Sequence, residues 1–348
     1  MLKVEVNDDG KEILVGDRTD TDSLIHVIDR VDSFPVDYQL HTNFRENVYF
    51  LLSHDKRSKL GFVLRFVVEE MKRVDLGLFN GIFEEMQYHE GDERVKLMGL
   101  RFKDEQFHER NAKSDQLAQI LYRKSDLEEI KGWRNEKYTV YQNSKPYILI
   151  ERSMAGLLGI LTSGIHVNGY TYDKLTRQIK FWIPRRSKTK PTWPYMLDNI
   201  IAGGISYPYS VHETVHKEAV EEANLDGKII ERYLIPTGYL SYMHYQGDFF
   251  SDSFQSEKSF IVGEHEYIYD LELPEDVIPT PNDGEVDSFN LLTLQEILDA
   301  LYNNQFKPNC GLVMVDFLIR HGYLNTENEV NYEKIIRKMH RKLIYESE

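Results

Sequence analysis

The segment from Gly203 to Leu225 constrains this chain more than any other. Ser210 and Glu213 form a capping box, so a helix is expected to start at Ser210. Asn224 stands where that helix should stop, because asparagine tolerates the left-handed conformation of a C-terminal cap. Between the caps lie Glu218, Glu221 and Glu222. Residues three and four apart on a helix share a face, with Cβ atoms about 5–6 Å apart. Three like charges there repel one another, so helix propensity does not account for them. Hard oxygen ligands converging on Mg²⁺ or Mn²⁺ would; the plain alternative is a solvated acidic face. The Gly203-Gly204 pair ahead of the helix permits close approach of another group to the backbone.

Composition narrows what such a helix can serve. Lys and Arg number 42 against 57 Asp and Glu, a net charge of −15, which argues against nucleic-acid or anionic-membrane binding. The acidic start of the chain has no apolar signal region, and no later run approaches the roughly 20 apolar residues of a membrane span. A single cysteine, Cys310, excludes an intramolecular disulfide and favours a reducing, cytoplasmic setting; it reads as a buried thiol. At 348 residues the prior is two domains.

The expected division is a helper domain over 1–150, shaping or covering a pocket, and a chemistry-bearing domain over 151–348. The first is charge-rich, with an amphipathic helix expected from Phe44 to Leu52, and a turn at Lys131–Asn135 closes its charge-rich part. Beyond it, Tyr147–Ile150 reads as a short buried strand, and Gln178–Ile183 alternates with Ile179, Phe181 and Ile183 on one face. Glu266–Leu273 alternates likewise, with Tyr267, Tyr269, Leu271 and Leu273 inward. Thr293 and Glu296 make a second capping box. Asn309 is a candidate cap for a helix reaching His321, and a last helix is expected from Tyr332 to Tyr345. Mixed strands and helices suggest an α/β or α+β sandwich.

With Gly203 as its first glycine, the segment resembles the box of Nudix hydrolases: Gly, five residues, Glu, seven residues, Arg-Glu, an apolar residue, any residue, Glu-Glu, any residue, Gly and an apolar residue. The spacing reaches Lys217, Glu218, Glu221, Glu222 and Leu225 without a gap. Tyr209, Lys217 and Asn224 replace the first glutamate, the arginine and the second glycine. Six further segments, among them Gly164–Tyr170, Trp182–Ser187, Met196–Asn199 and Phe306–Cys310, are similar to the fungal and plant Nudix group related to thiamine pyrophosphokinase. The resemblance implies an α/β/α sandwich with a mixed sheet, preceded by a smaller N-terminal α/β domain. It implies Mg²⁺-dependent (or Mn²⁺-dependent) removal of phosphate from thiamine diphosphate analogues, chiefly oxidised or damaged forms.

Hydrolysis of a diphosphate needs its charge neutralised and a water aimed at phosphorus. Gly203 (through its carbonyl), Glu218, Glu221 and Glu222 are the candidate metal ligands. The resemblance implies Glu218, Glu222 and Glu285 as the candidate catalytic residues, with the proton acceptor open between Glu218 and Glu285. Arg185, Arg186 and Lys188, with Lys190 nearby, form a basic run fit for phosphate, and Trp193 can stack on a heteroaromatic or cationic ring. The expected partner is a small diphosphate. Two alternatives remain: an ADP-ribose type of nucleoside diphosphate-linked substrate, and a Nudix-fold sensor that binds without turnover.

Overall fold

The computed structural model describes residues 1–89 and 96–345. Its centre is a six-stranded mixed sheet in the order Leu234–Tyr245, Ile261–Glu272, Leu161–Tyr172, Ile179–Arg186 and Val286–Thr293, with Ile201–Gly204 paired to Leu161–Tyr172. Ile261–Glu272 runs parallel to Leu161–Tyr172; the other pairings are antiparallel. Side chains of a strand alternate between faces, and both faces are covered. Ile165, Val167, Ile201 and Leu271 pack with Val215, Ala219 and Ile230 of helices Val211–Ala223 and Gly227–Tyr233. Tyr170, Phe181, Ile183 and Ile268 pack with helices Leu294–Tyr302 and Pro308–Arg320. This is the expected α/β/α sandwich.

A four-stranded mixed sheet forms the N-terminal domain, ordered Lys59–Leu64, Val48–Leu52, Leu97–Phe102 and Phe83–Tyr88. The expected helix from Phe44 to Leu52 is instead a short helix, Thr42–Asn47, running into strand Val48–Leu52. All five strand residues are buried, so a continuous apolar run of aromatic and branched residues outweighs a helical period read over nine positions.

Two packing facts describe how the two halves of the chain meet. Leu2, Leu14, Leu24, Val27, Ile28 and Val31 enter the same core as helix Pro308–Arg320, so the first residues of the chain cover the second domain. In the other direction, Tyr245, Phe249 and Phe254 join Phe34, Phe44, Phe50 and Phe62 in one aromatic core, with Phe34 and Phe249 edge to face at 5.4 Å. The halves therefore share hydrophobic interior rather than meet at a wet surface.

The C-terminal helix is Tyr332–Met339 rather than Tyr332–Tyr345. Beyond it Arg341 donates from its backbone N–H to the Ser241 carbonyl (3.0 Å) and from Nη1 to Asp32 Oδ1 (3.0 Å), and Tyr345 reaches the aromatic core. Helix Pro308–Arg320 starts one residue ahead of the expected cap, with proline in its first turn. No helix among the described residues is long and apolar enough to cross a membrane.

Candidate active site

The glutamate-bearing helix forms as its caps require. Ser210 accepts from the Glu213 backbone N–H (3.3 Å), Glu213 accepts from the Ser210 N–H (2.8 Å), and Asn224 takes φ 52° at the C-cap. At about 100° per residue, Glu222 lies about 40° from Glu218 around the helix, whereas Glu221 lies about 60° away on the other side. The structure divides them accordingly. Glu218 and Glu222 line a charged cavity of about 210 Å³, while Glu221 is 45% exposed and bound to Lys217 (2.7 Å). Lys217 also bonds Glu218 (3.0 Å), so it still braces the helix in place of the arginine of the pattern.

Gly203 carries the decisive close approach. A Cβ there would sit 2.6 Å from the Glu218 carboxyl carbon, so only glycine admits Glu218 against the backbone. A Cβ on Gly164, in the neighbouring strand, would lie 2.4 Å from Glu266 Oε2. Together with Gly204 these glycines leave the sheet bare of side chains, and the cavity reaches carboxylates from both of its faces. Glu218 and Glu222 come from the helix side; Glu264 and Glu266, on strand Ile261–Glu272, come from the other.

Burial of so much negative charge shows in the titration of these groups. Burial raises Glu218. It raises Glu222 well above the usual carboxylate range, helped by the charges of Asp198 and Glu218. Burial and then the Glu266 charge lift Glu264 to about 7. Burial opposes the His166 imidazolium, yet the Glu266 carboxylate 3.4 Å away holds its pKa well above the ordinary value. Glu266 Oε2 is buried with no hydrogen-bond partner among the described residues.

Carboxylate oxygens brought together against their mutual repulsion, one of them unpartnered, beside a glycine backbone, are a hard-donor set of the kind that suits a divalent ion. Glu218, Glu222 and the Gly203 carbonyl fit that use. Among the described residues no three His, Cys, Asp or Glu side chains are already gathered around one point, and Glu221 stands apart from the set expected from sequence.

The basic run also divides. A register shift between Arg185 and Arg186 follows the strand's alternation. Arg186 turns inward, donating to Asp198 Oδ2 (2.5 Å) and to the Trp193 (3.0 Å) and Thr192 (3.1 Å) carbonyls. All three of its guanidinium nitrogens serve the following loop. Arg185 and Lys188 lie over the Tyr195 ring, at 5.0 and 4.7 Å, away from the cavity. Lys190 reaches it, paired with Glu285. Burial would raise Glu285, but the Lys190 hydrogen bond and charge bring it below its usual value. Trp193, 41% exposed, lines an adjoining cavity of about 700 Å³ that is partly apolar.

Several residues at and around the cavity carry no sequence signal for a role there. Glu264 and Glu266 alternate with the tyrosines that were expected to face inward; Tyr267, Tyr269, Leu271 and Leu273 do pack inward, but the opposite face is buried as well. His166 lies in the central strand, bonded to Asn199 (2.8 Å). Asn309, expected as a helix cap, donates to Glu266 Oε1 (3.2 Å). Cys310 is buried as expected, with its thiol directed to Asp198 Oδ1 (2.7 Å).

A glutamate helix, a glycine-bared sheet and a polar cavity define a hydrolase-like site in an α/β/α sandwich. Residues 165–310 match the NUDIX domain, and residues 54–162 match a domain of unknown function, DUF4743. The chain is 51% identical over 348 residues to the uncharacterized protein YJR142W of Saccharomyces cerevisiae, covering 98% of each. It is 35% identical over 281 residues to the chloroplastic Nudix hydrolase 24 of Arabidopsis thaliana, covering 78% of this chain and 71% of that one. The crystal structure of DR0079 from Deinococcus radiodurans aligns at 20% identity and a TM-score of 0.38, covering 55% of this chain and 100% of that one. The chain belongs to the Nudix hydrolase family. It is a hydrolase with an N-terminal domain ahead of its Nudix domain, and the family generally uses divalent metal ions.

Proposed function

We propose that this protein is a Mg²⁺- or Mn²⁺-dependent hydrolase of small organic diphosphates, acting on thiamine diphosphate derivatives, chiefly oxidised or damaged forms, in the cytoplasm. The observation that carries the reading is the join between two cavities. The charged one holds the glutamates; the larger, partly apolar one begins at shared residues and ends at Trp193. A diphosphate fits the first and a ring system the second. The thiamine assignment rests on the six segments similar to the thiamine pyrophosphokinase-related group.

In this reading Glu218, Glu222 and the Gly203 carbonyl hold the ion, which when bound offsets phosphate charge and acidifies a water. Glu285, kept ionised by Lys190, orients water at the mouth. Glu218, whose burial raises its pKa, is the better proton acceptor near neutral pH. Products are phosphate and the monophosphate.

The test is phosphate release from oxidised thiamine diphosphate, thiamine diphosphate and ADP-ribose, with and without Mg²⁺. Release that requires metal and is fastest with the oxidised thiamine compound supports the reading. Preference for ADP-ribose replaces the substrate class, and tight binding without turnover identifies a sensor.

A further inference from the structure

We propose that the N-terminal region matched to DUF4743, residues 54–162, supplies the phosphate-gripping side of this active site, through the guanidinium groups of Arg134 and Arg152. The assignment rests on the reading above that the ligand is a diphosphate. Both side chains line the charged cavity and also its larger neighbour, so they stand where the two meet.

The placement is built rather than incidental. Arg134 and Arg152 flank the hairpin Lys137–Gln142 and Lys145–Glu151. Arg152 closes the hairpin by donating from its backbone N–H to the Glu136 carbonyl (2.8 Å). The hairpin is clamped onto the segment leading from Gly203 to the glutamate helix: the Tyr207 N–H donates to the Lys137 carbonyl (2.7 Å). Tyr138, beneath the Arg152 guanidinium at 5.7 Å, presses its hydroxyl so close to Gly204 that a Cβ there would lie 2.5 Å away. The same backbone that seats Glu218 thus fixes the two arginines.

Among the Nudix-domain cations on the charged cavity, Lys307 is a buried point charge lining both cavities, and it offers no guanidinium fork. Arg186 spends every guanidinium nitrogen on its own loop, and Lys190 is paired with Glu285. Among the described residues the Arg134 guanidinium has no hydrogen bond or ion pair, and Arg152 commits only Nη1, to Glu136 (2.8 Å). Guanidinium forks match phosphate oxygens bidentately, and a cavity with five glutamates needs opposing cations to admit a polyanion. Substrate selection then depends on a domain that contributes no metal ligand.

The experiment uses the full chain and the non-hydrolysable probe methylenediphosphonate, titrated calorimetrically in Mg²⁺. Mn²⁺ binding by electron paramagnetic resonance and thermal melting are followed alongside. R134A and R152A should each weaken diphosphonate binding about tenfold, and the double variant about a hundredfold, with Mn²⁺ affinity within about twofold. R152K should recover part of the loss, because charge returns without the fork. If R152A melts early, R134A and E136Q decide the matter, E136Q being expected to bind at least as tightly as the unaltered protein. Unchanged diphosphonate binding in R134A/R152A, with normal melting, overturns the proposal while leaving hydrolysis intact. Weakened binding in that variant, alongside a parent protein that hydrolyses no diphosphate, retains this assignment and removes the hydrolytic reading.

Discussion

The glutamate helix and the N-terminal hairpin face one cavity, and they bring opposite charge to it in different ways. Val211–Ala223 offers Glu218 and Glu222 from a capped, regular element whose geometry follows from local sequence. The hairpin offers Arg134 and Arg152 from positions that acquire meaning only by docking on the Tyr207 segment. Chemistry is thus encoded locally and recognition non-locally. Charge explains the arrangement: clustered carboxylates are costly when buried, and a bound cation or facing guanidiniums offset that cost.

The widest break in the comparison comes from removing the helix's contribution. E218Q/E222Q should fold and lose hydrolysis by about a thousandfold or more, measured as phosphate release under saturating Mg²⁺. E221Q should lose less than about tenfold in the same assay, because Glu221 faces Lys217 and solvent. Equal losses would show that the helix acts as one three-carboxylate unit.

Deleting residues 1–150 removes Arg134 and all but the last residue of the hairpin, while Arg152 stays on the remaining fragment. It exposes Tyr245, Phe249 and Phe254 and strips Leu24, Val27 and Ile28 from helix Pro308–Arg320. The remaining fragment should aggregate or melt far below the full chain in scanning calorimetry; a soluble, cooperatively melting fragment would mean the shared core is dispensable.

A finer break is G203A. Its methyl group would push on the Glu218 carboxylate, lowering activity about ten- to a hundredfold while costing about 1–3 kcal/mol in denaturant titration. An equal loss in G81A, where a Cβ meets nothing within 4 Å, would deny the close approach any role.

The smallest effect concerns pH. Glu222 is raised above 4.5 in the fold, so its folded state favours the proton and metal-free stability falls as pH rises from 4.5 through the folded pKa. E222Q removes that loss. Without metal it should melt a few degrees higher than the unaltered protein at pH 7.5, with little difference at pH 4.

Legibility in the sequence follows the same division. Ser210, Glu213 and Asn224 announce the helix because caps are local chemistry. The inward set Ile179, Phe181 and Ile183 announces a strand by its period of two. Val48–Leu52 hides its strand character because a strand buried on both faces has no alternation to show. Glu266 gives the opposite case: its strand does alternate, but the polar face is covered by Pro308–Arg320 instead of solvent. Arg186 looked like a phosphate ligand because sequence cannot show that Asp198 and two carbonyls already occupy it. Arg134 carries no local signal at all; only the docking of its hairpin brings it to the cavity.

The most direct measurement is an anomalous difference map from crystals soaked with Mn²⁺ and methylenediphosphonate. The account predicts a manganese peak contacting Glu218, Glu222 and the Gly203 carbonyl, with diphosphonate oxygens reaching Arg134 and Arg152. A peak on the outer face at Glu221, or a diphosphonate bound beside Arg185 and Lys188, would contradict it.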